Sequence, residues 1–114
     1  MFEVALNVYD LSGGQARQFS PQLVGSQMEG VWHTGIVIYG KEYYYGGGIS
    51  YDLAGKTPFG QPTTQISLGS TEVPEEIFYD LLRDLANRFT DKTFNILTNN
   101  TNTFSNEVAT LITD

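Results

Sequence analysis

The chain has 114 residues, 40% of them hydrophobic, and a formal charge of −7 from six Lys+Arg against 13 Asp+Glu. That length can bury roughly two-thirds of the unfolded surface in one core without staples, and so acidic a surface excludes nucleic acid as the expected partner. With no cysteine there is neither a disulfide nor a thiolate metal site, which fits a reducing, cytoplasmic or nuclear setting.

No stretch approaches the ~20 consecutive apolar residues of a membrane span, and "MFEVALNVYD" lacks the basic start and long apolar run of a signal peptide. Residues 2–9 set Val4, Leu6 and Val8 against Glu3, Ala5 and Asn7, the period-two pattern of a half-buried strand. "DLSGGQAR" (10–17) predicts a turn, and Ser20-Pro21 predicts the cap and first position of a short helix running to about Met28. "HTGIVIYGKEYYYGGGI" (33–49) reads as a hairpin turning at Gly40-Lys41, with Gly46, Gly47 and Gly48 ending its second strand. Residues 50–65 read as a surface loop, followed by a short strand near "QISLG".

"VPEEIFYDLLRDLANRF" (73–89) is the clearest helix, with Pro74 at its start and Glu75 and Glu76 where the positive end of the dipole favours them. Ile77, Leu81, Leu82, Leu85 and Phe89 form its apolar stripe. A buried pair, Ile96 and Leu97, then gives way to a polar turn and a last helix from about Asn102 to Ile112, with Phe104, Val108 and Leu111 or Ile112 inward. No repeat or linker divides the chain, so one domain over 1–114 is expected. Hairpins between strands favour an α+β fold over a parallel sheet.

Two positions could carry chemistry. The single histidine, His33 in "EGVWHTGIV", sits where a loop enters a strand, beside Trp32 and near Gly30 and Gly35. Its ring either points into a cleft or is buried and bonded to backbone. One histidine without a carboxylate cluster makes no metal site, and no cofactor is implied. The second position is the helix start in "NNTNTF". A cysteine there would be activated by the dipole and its own N–H could serve an oxyanion hole, whereas Thr101 is an internal hydroxyl with no free α-amine to activate it. Thr101 or Asn102 could equally be a plain helix cap. Asn99-Asn100-Thr101 also spells a glycosylation acceptor, expected to be accidental without a secretory signal. "YGGGI" lacks the spacing and lysine of a phosphate loop. The tyrosines before it could line a peptide groove or be ordinary strand residues.

The segments "VYDLSGGQAR" (8–17), "SPQLVGSQMEGVWHTGIVIYGKEYYYGGGI" (20–49), "LGSTEVPEEIF" (68–78) and "FNILTNNTNTFSNEVATLIT" (94–113) together resemble the PPPDE peptidases. That is the permuted papain-fold family that includes the DeSI-type desumoylating isopeptidases. The resemblance implies an α+β papain-like fold, a small antiparallel sheet packed with helices, in which the histidine precedes the nucleophile. It implies cysteine-type cleavage of isopeptide or peptide bonds at the C-terminus of SUMO or ubiquitin. His33 matches the family's catalytic histidine and Thr101 its catalytic cysteine, so the chain departs from the pattern at the position that defines the activity. Trp32, Tyr45, Gly47 and Asn102 are the groove or oxyanion candidates. The expectation is an isopeptidase domain that is inactive, or nearly so, because of Thr101. The alternatives are a pseudoprotease module that binds ubiquitin-like proteins and an assembly domain that forms a homodimer. Family members commonly carry residues beyond the last helix, so the domain is expected to lack some C-terminal residues.

Overall fold

The computed structural model describes residues 1–10, 32–95 and 99–113. The expected turn beyond Asp10, the short helix to Met28 and the Ile96–Leu97 pair lie outside them. One five-stranded sheet dominates: β1 (Phe2–Asp10), β2 (Trp32–Ile38), β3 (Lys41–Tyr45), β4 (Ile49–Leu53) and β5 (Thr64–Thr71) lie in the order β4-β3-β2-β1-β5. Every neighbouring pair is antiparallel. Two helices are described, α1 (Glu75–Leu85) and α2 (Thr101–Ile112), and the architecture is α+β.

The β2–β3 hairpin turns at Tyr39-Gly40, one residue earlier than the sequence suggests. Both have positive φ, 56° and 75°, as the tight two-residue turn that matches strand twist requires. Glycine meets that requirement without strain, whereas Tyr39 is held there by its surroundings. Its ring packs edge-on against Phe2 and Phe78, and its hydroxyl donates to the Val73 carbonyl.

The stretch expected to be loop after Gly48 begins with a strand. The chain reverses over Gly46–Gly48 and β4 pairs with β3 from Tyr45–Ile49 to Lys41–Leu53. As an edge strand it leaves Tyr51 and Leu53 exposed, so its alternation carries no clean burial signal. β5, the other edge, runs eight residues rather than a short stretch.

The helix expected over 73–89 is α1, ending at Leu85 with Ala86 as its C-cap. Its inward face centres on Phe78, Leu85 and, just past the helix, Phe89; Ile77 is 49% exposed. A step of one residue turns a side chain by about 100°, so Phe78 takes the inward place expected of Ile77 while Leu85 and Phe89 keep theirs. In α2 the inward set is Phe104, Val108 and Ile112, with Leu111 outward. These residues join Val4, Ile36, Ile38, Tyr43 and Tyr45 from the sheet in one apolar core.

Candidate active site

Asn100, not Thr101 or Asn102, caps α2. Its side-chain oxygen accepts the N–H groups of Asn102 (2.9 Å) and Thr103 (3.0 Å), and the Thr103 hydroxyl accepts the Asn100 N–H at 3.2 Å. This reciprocal arrangement satisfies the first-turn donors and leaves the Thr101 side chain available for other contacts. Its hydroxyl donates to the Thr34 carbonyl at 2.8 Å and accepts a longer bond from the Tyr45 N–H at 3.4 Å.

Those two partners explain where Thr101 sits. Pairing between β2 and β3 stops at Ile36–Tyr43, and the same register continued would set Thr34 opposite Tyr45. At that point the strands open and the Thr101 hydroxyl bridges them, taking the place of a ladder bond. The start of α2 is thus driven into the mouth of the β2–β3 pair. A second tie reinforces it: the Thr34 hydroxyl bonds Asn102 Oδ1 (2.8 Å) and Ser105 Oγ (2.9 Å).

His33 is the residue before Thr34, and strand alternation sends its side chain to the opposite face. There the imidazole is 4% exposed. It stacks on Phe59 with ring centroids 3.6 Å apart and planes 23° from parallel, with Tyr9 at 5.5 Å and Tyr44 at 5.8 Å. Its Nε2 is buried and has no hydrogen-bond partner among the described residues. Burial lowers its pKa to about 4. A phenyl face attracts an imidazolium by ~0.5–2 kcal/mol, but a midpoint near 4 rather than 6.5 amounts to roughly 3 kcal/mol against the charged form. Exclusion of water therefore wins, and the ring is neutral at pH 7. The fold sets Thr101 against Thr34, the residue that follows His33, yet the bonds of Thr101 go to Thr34 and Tyr45, and neither reaches the imidazole.

The other candidates separate. The backbone of Trp32 opens β2, while its side chain lies outside the described residues. Tyr45 is a core residue: its ring packs against Phe89, Phe94 and Phe104, its hydroxyl donates to the Thr90 carbonyl, and only its N–H touches the site. Gly47 lies exposed in the β3–β4 turn. Asn102 spends its N–H on the Asn100 cap and its Oδ1 on Thr34. A cleft of about 250 Å³ opens beside it, walled by Leu6, Leu68 and Ala109.

Sequence reasoning missed the polar layer around His33. Glu42 is 0% exposed. It accepts from Asn7 Nδ2 (2.8 Å) and the Tyr9 hydroxyl (2.6 Å), with a longer approach from the Gly55 N–H at 3.4 Å. Gln65 Nε2 in turn donates to Asn7 Oδ1 at 2.7 Å. Burial, then the bond to Glu42, raises the pKa of Tyr9, so its hydroxyl stays a donor. The only local signal was Gly35: a Cβ there would lie 2.5 Å from Glu42 Oε2 and 2.8 Å from its Cγ. Among the described residues no group of three or more His, Asp or Glu side chains converges as metal ligands would.

This chain matches the PPPDE putative peptidase domain over residues 2–114. It belongs to that family. It is also similar to Desumoylating isopeptidase 1 of Homo sapiens, 47% identical over 115 residues that cover 99% of this chain and 68% of the relative. The same-named protein of Xenopus laevis is 46% identical over 112 residues, covering 96% of this chain and 66% of that protein. That of Rattus norvegicus is 45% identical over 115 residues, covering 99% and 68%. The PPPDE domain here thus spans about two-thirds of the length of these relatives.

Proposed function

We propose that this PPPDE domain is an isopeptidase scaffold for SUMO or ubiquitin C-termini in which hydrolysis is silenced at Thr101, with His33 as its base. SUMO is favoured as the modifier because the similar proteins are desumoylating isopeptidases by name. The observation that carries the silencing is the Thr101 hydroxyl itself. Its proton is given to the Thr34 carbonyl at 2.8 Å, an amide oxygen that cannot act as a base. A threonine nucleophile needs a neighbouring base to lose that proton, and the neutral imidazole of His33 is not bonded to it. Loss of a covalent nucleophile removes on the order of 10⁴-fold or more in rate, so turnover is expected at background.

The position still suits a thiol. A cysteine at the first residue of α2 would feel the positive end of the helix dipole. The Thr101 N–H is not engaged by the Asn100 cap, which takes those of Asn102 and Thr103, and it could donate to an oxyanion. The test compares the chain with Thr101→Cys, each incubated with SUMO and with ubiquitin carrying a C-terminal fluorophore or electrophile. Labelling or cleavage by the cysteine variant alone supports the reading. Turnover by the unsubstituted chain, or binding without reaction by both, overturns it. The second result would make the domain a module that holds ubiquitin-like tails without cutting.

A further inference from the structure

We propose that Phe59 is a positioning residue for His33: its ring fixes the plane of the imidazole and shuts water from it, and Glu42 anchors the loop that carries it. This deepens the reading of His33 as the base of the site and rests on it.

The stack is near-parallel at 3.6 Å, while Phe59 is 37% exposed and His33 4%. Phe59 thus stacks on the buried imidazole while part of its own surface reaches solvent. Phe59 comes from the connection between β4 and β5, far from His33 in sequence, and that connection is tied to the sheet at several points. Thr63 bonds β1 twice, its N–H to the Val8 carbonyl at 2.7 Å and its hydroxyl from the Asp10 N–H at 3.0 Å. Nearer the ring, the Gly55 N–H approaches Glu42 at 3.4 Å, the buried Thr57 hydroxyl approaches the Tyr9 hydroxyl at 3.4 Å, and the Phe59 N–H meets Thr57 Oγ1 at 3.3 Å. The hydroxyl of Tyr9 is itself bonded to Glu42 at 2.6 Å. Loop and strand thus meet at one buried carboxyl group.

Among the described residues the titratable groups around the imidazole are few. Tyr9 faces it from β1 and Tyr44 from β3, and both phenols are held in their protonated form by burial and by bonds to Glu42 and Asp52 respectively. Glu42 and Asp52 therefore stand behind those rings. Asp10 follows Tyr9 on β1, and Lys56 on the loop is exposed. No ion pair reaches His33 among the described residues. Removing the ring of Phe59 should therefore change hydration and leave the neighbouring charges as they are.

With one histidine in the chain, a proton NMR titration follows a single imidazole. The midpoint in the unsubstituted chain is expected near 4. Phe59→Ala should raise it by about one pH unit or more, towards the ~6.5 of a hydrated imidazole. Phe59→Leu, which keeps an apolar cover, should stay close to the parent. A Phe59→Ala variant that loses thermal stability but keeps its midpoint would show mere packing and overturn the proposal. Should that variant not fold, acylation of His33 by diethyl pyrocarbonate in the unsubstituted chain decides. It should run at least about tenfold slower than for free N-acetylhistidine, because reaction then waits on local opening. Equal rates overturn the proposal. The titration does not depend on turnover: an inert Thr101→Cys variant would sink the functional reading while leaving this result standing.

Discussion

On one face of the sheet, Ile36, Tyr43 and Tyr45 meet Phe78, Phe89, Phe104 and Val108, all of them buried hydrocarbon or ring. On the other, Asn7, Tyr9, His33 and Glu42 are buried to the same degree, but they are joined by directed bonds or stacked rings. The first face stabilises by area and close packing, which tolerates adjustment among apolar shapes. The second gains little net energy from each bond and loses much if a partner is removed. What it supplies is position. Thr101 lies between the two, its hydroxyl bridging β2 and β3 where their ladder opens.

The largest expected effect breaks the apolar face. Phe104 is 0% exposed and packs against Tyr45 and Phe89, so Phe104→Ala should cost about 3–5 kcal/mol. Urea denaturation would show it as a fall in midpoint at constant slope.

The next concerns proton uptake on the polar face. The folded chain holds His33 neutral, with its midpoint lowered to about 4 by burial, while the unfolded chain takes up a proton near 6.5. Stability from this source is full above ~6.5 and is lost as pH falls towards 4, by roughly 3 kcal/mol. Denaturation at pH 7 and pH 4.5 should therefore show a steeper loss for the unsubstituted chain than for His33→Leu. Equal losses would mean that the imidazole is already hydrated in the fold.

A third prediction probes how rigid that face is. Gly35→Ala would push a Cβ to 2.5 Å from Glu42 Oε2, and Glu42 is fully buried and held by Asn7 and Tyr9, so a cost of about 1–3 kcal/mol is expected. Combined with Glu42→Ala, the two losses should fall short of their sum, because the shorter side chain removes the clash. Strict additivity in a double-mutant cycle would mean that the face yields.

The smallest effect concerns the hinge between the faces. Asn100→Ala removes the cap of α2 and should cost about 1 kcal/mol, read as a drop in melting temperature. If Asn100 also sets Thr101 in place, the same change should slow labelling of a Thr101→Cys partner variant beyond what stability explains.

The strands of the hairpin, the helix over 75–85 and the last helix are legible because their residues carry their own periodicity. β4 was not, since an edge strand with Tyr51 and Leu53 in solvent lacks the alternation that burial imposes. The chain pattern does not separate Phe78 from Ile77, because both are large and apolar, and only the neighbouring Tyr39 and Tyr43 rings choose between them. His33 and Thr101 could be named from one dimension. Their relation could not: alternation sends the imidazole to the face opposite the side chain of Thr34, and the hydroxyl finds that residue's carbonyl instead.

The sequence by itself therefore determined the family, the α+β class and a threonine, in a chain with no cysteine, at the helix start, because residue identity and local spacing are enough for each. Tertiary structure alone decided that Glu42 is buried, that Phe59 covers His33 and that Asn100 rather than its neighbours caps the helix. These are contacts between segments or choices among equivalent cap residues. A chain pattern records which residues are present, while burial and bonding depend on what the fold sets opposite them.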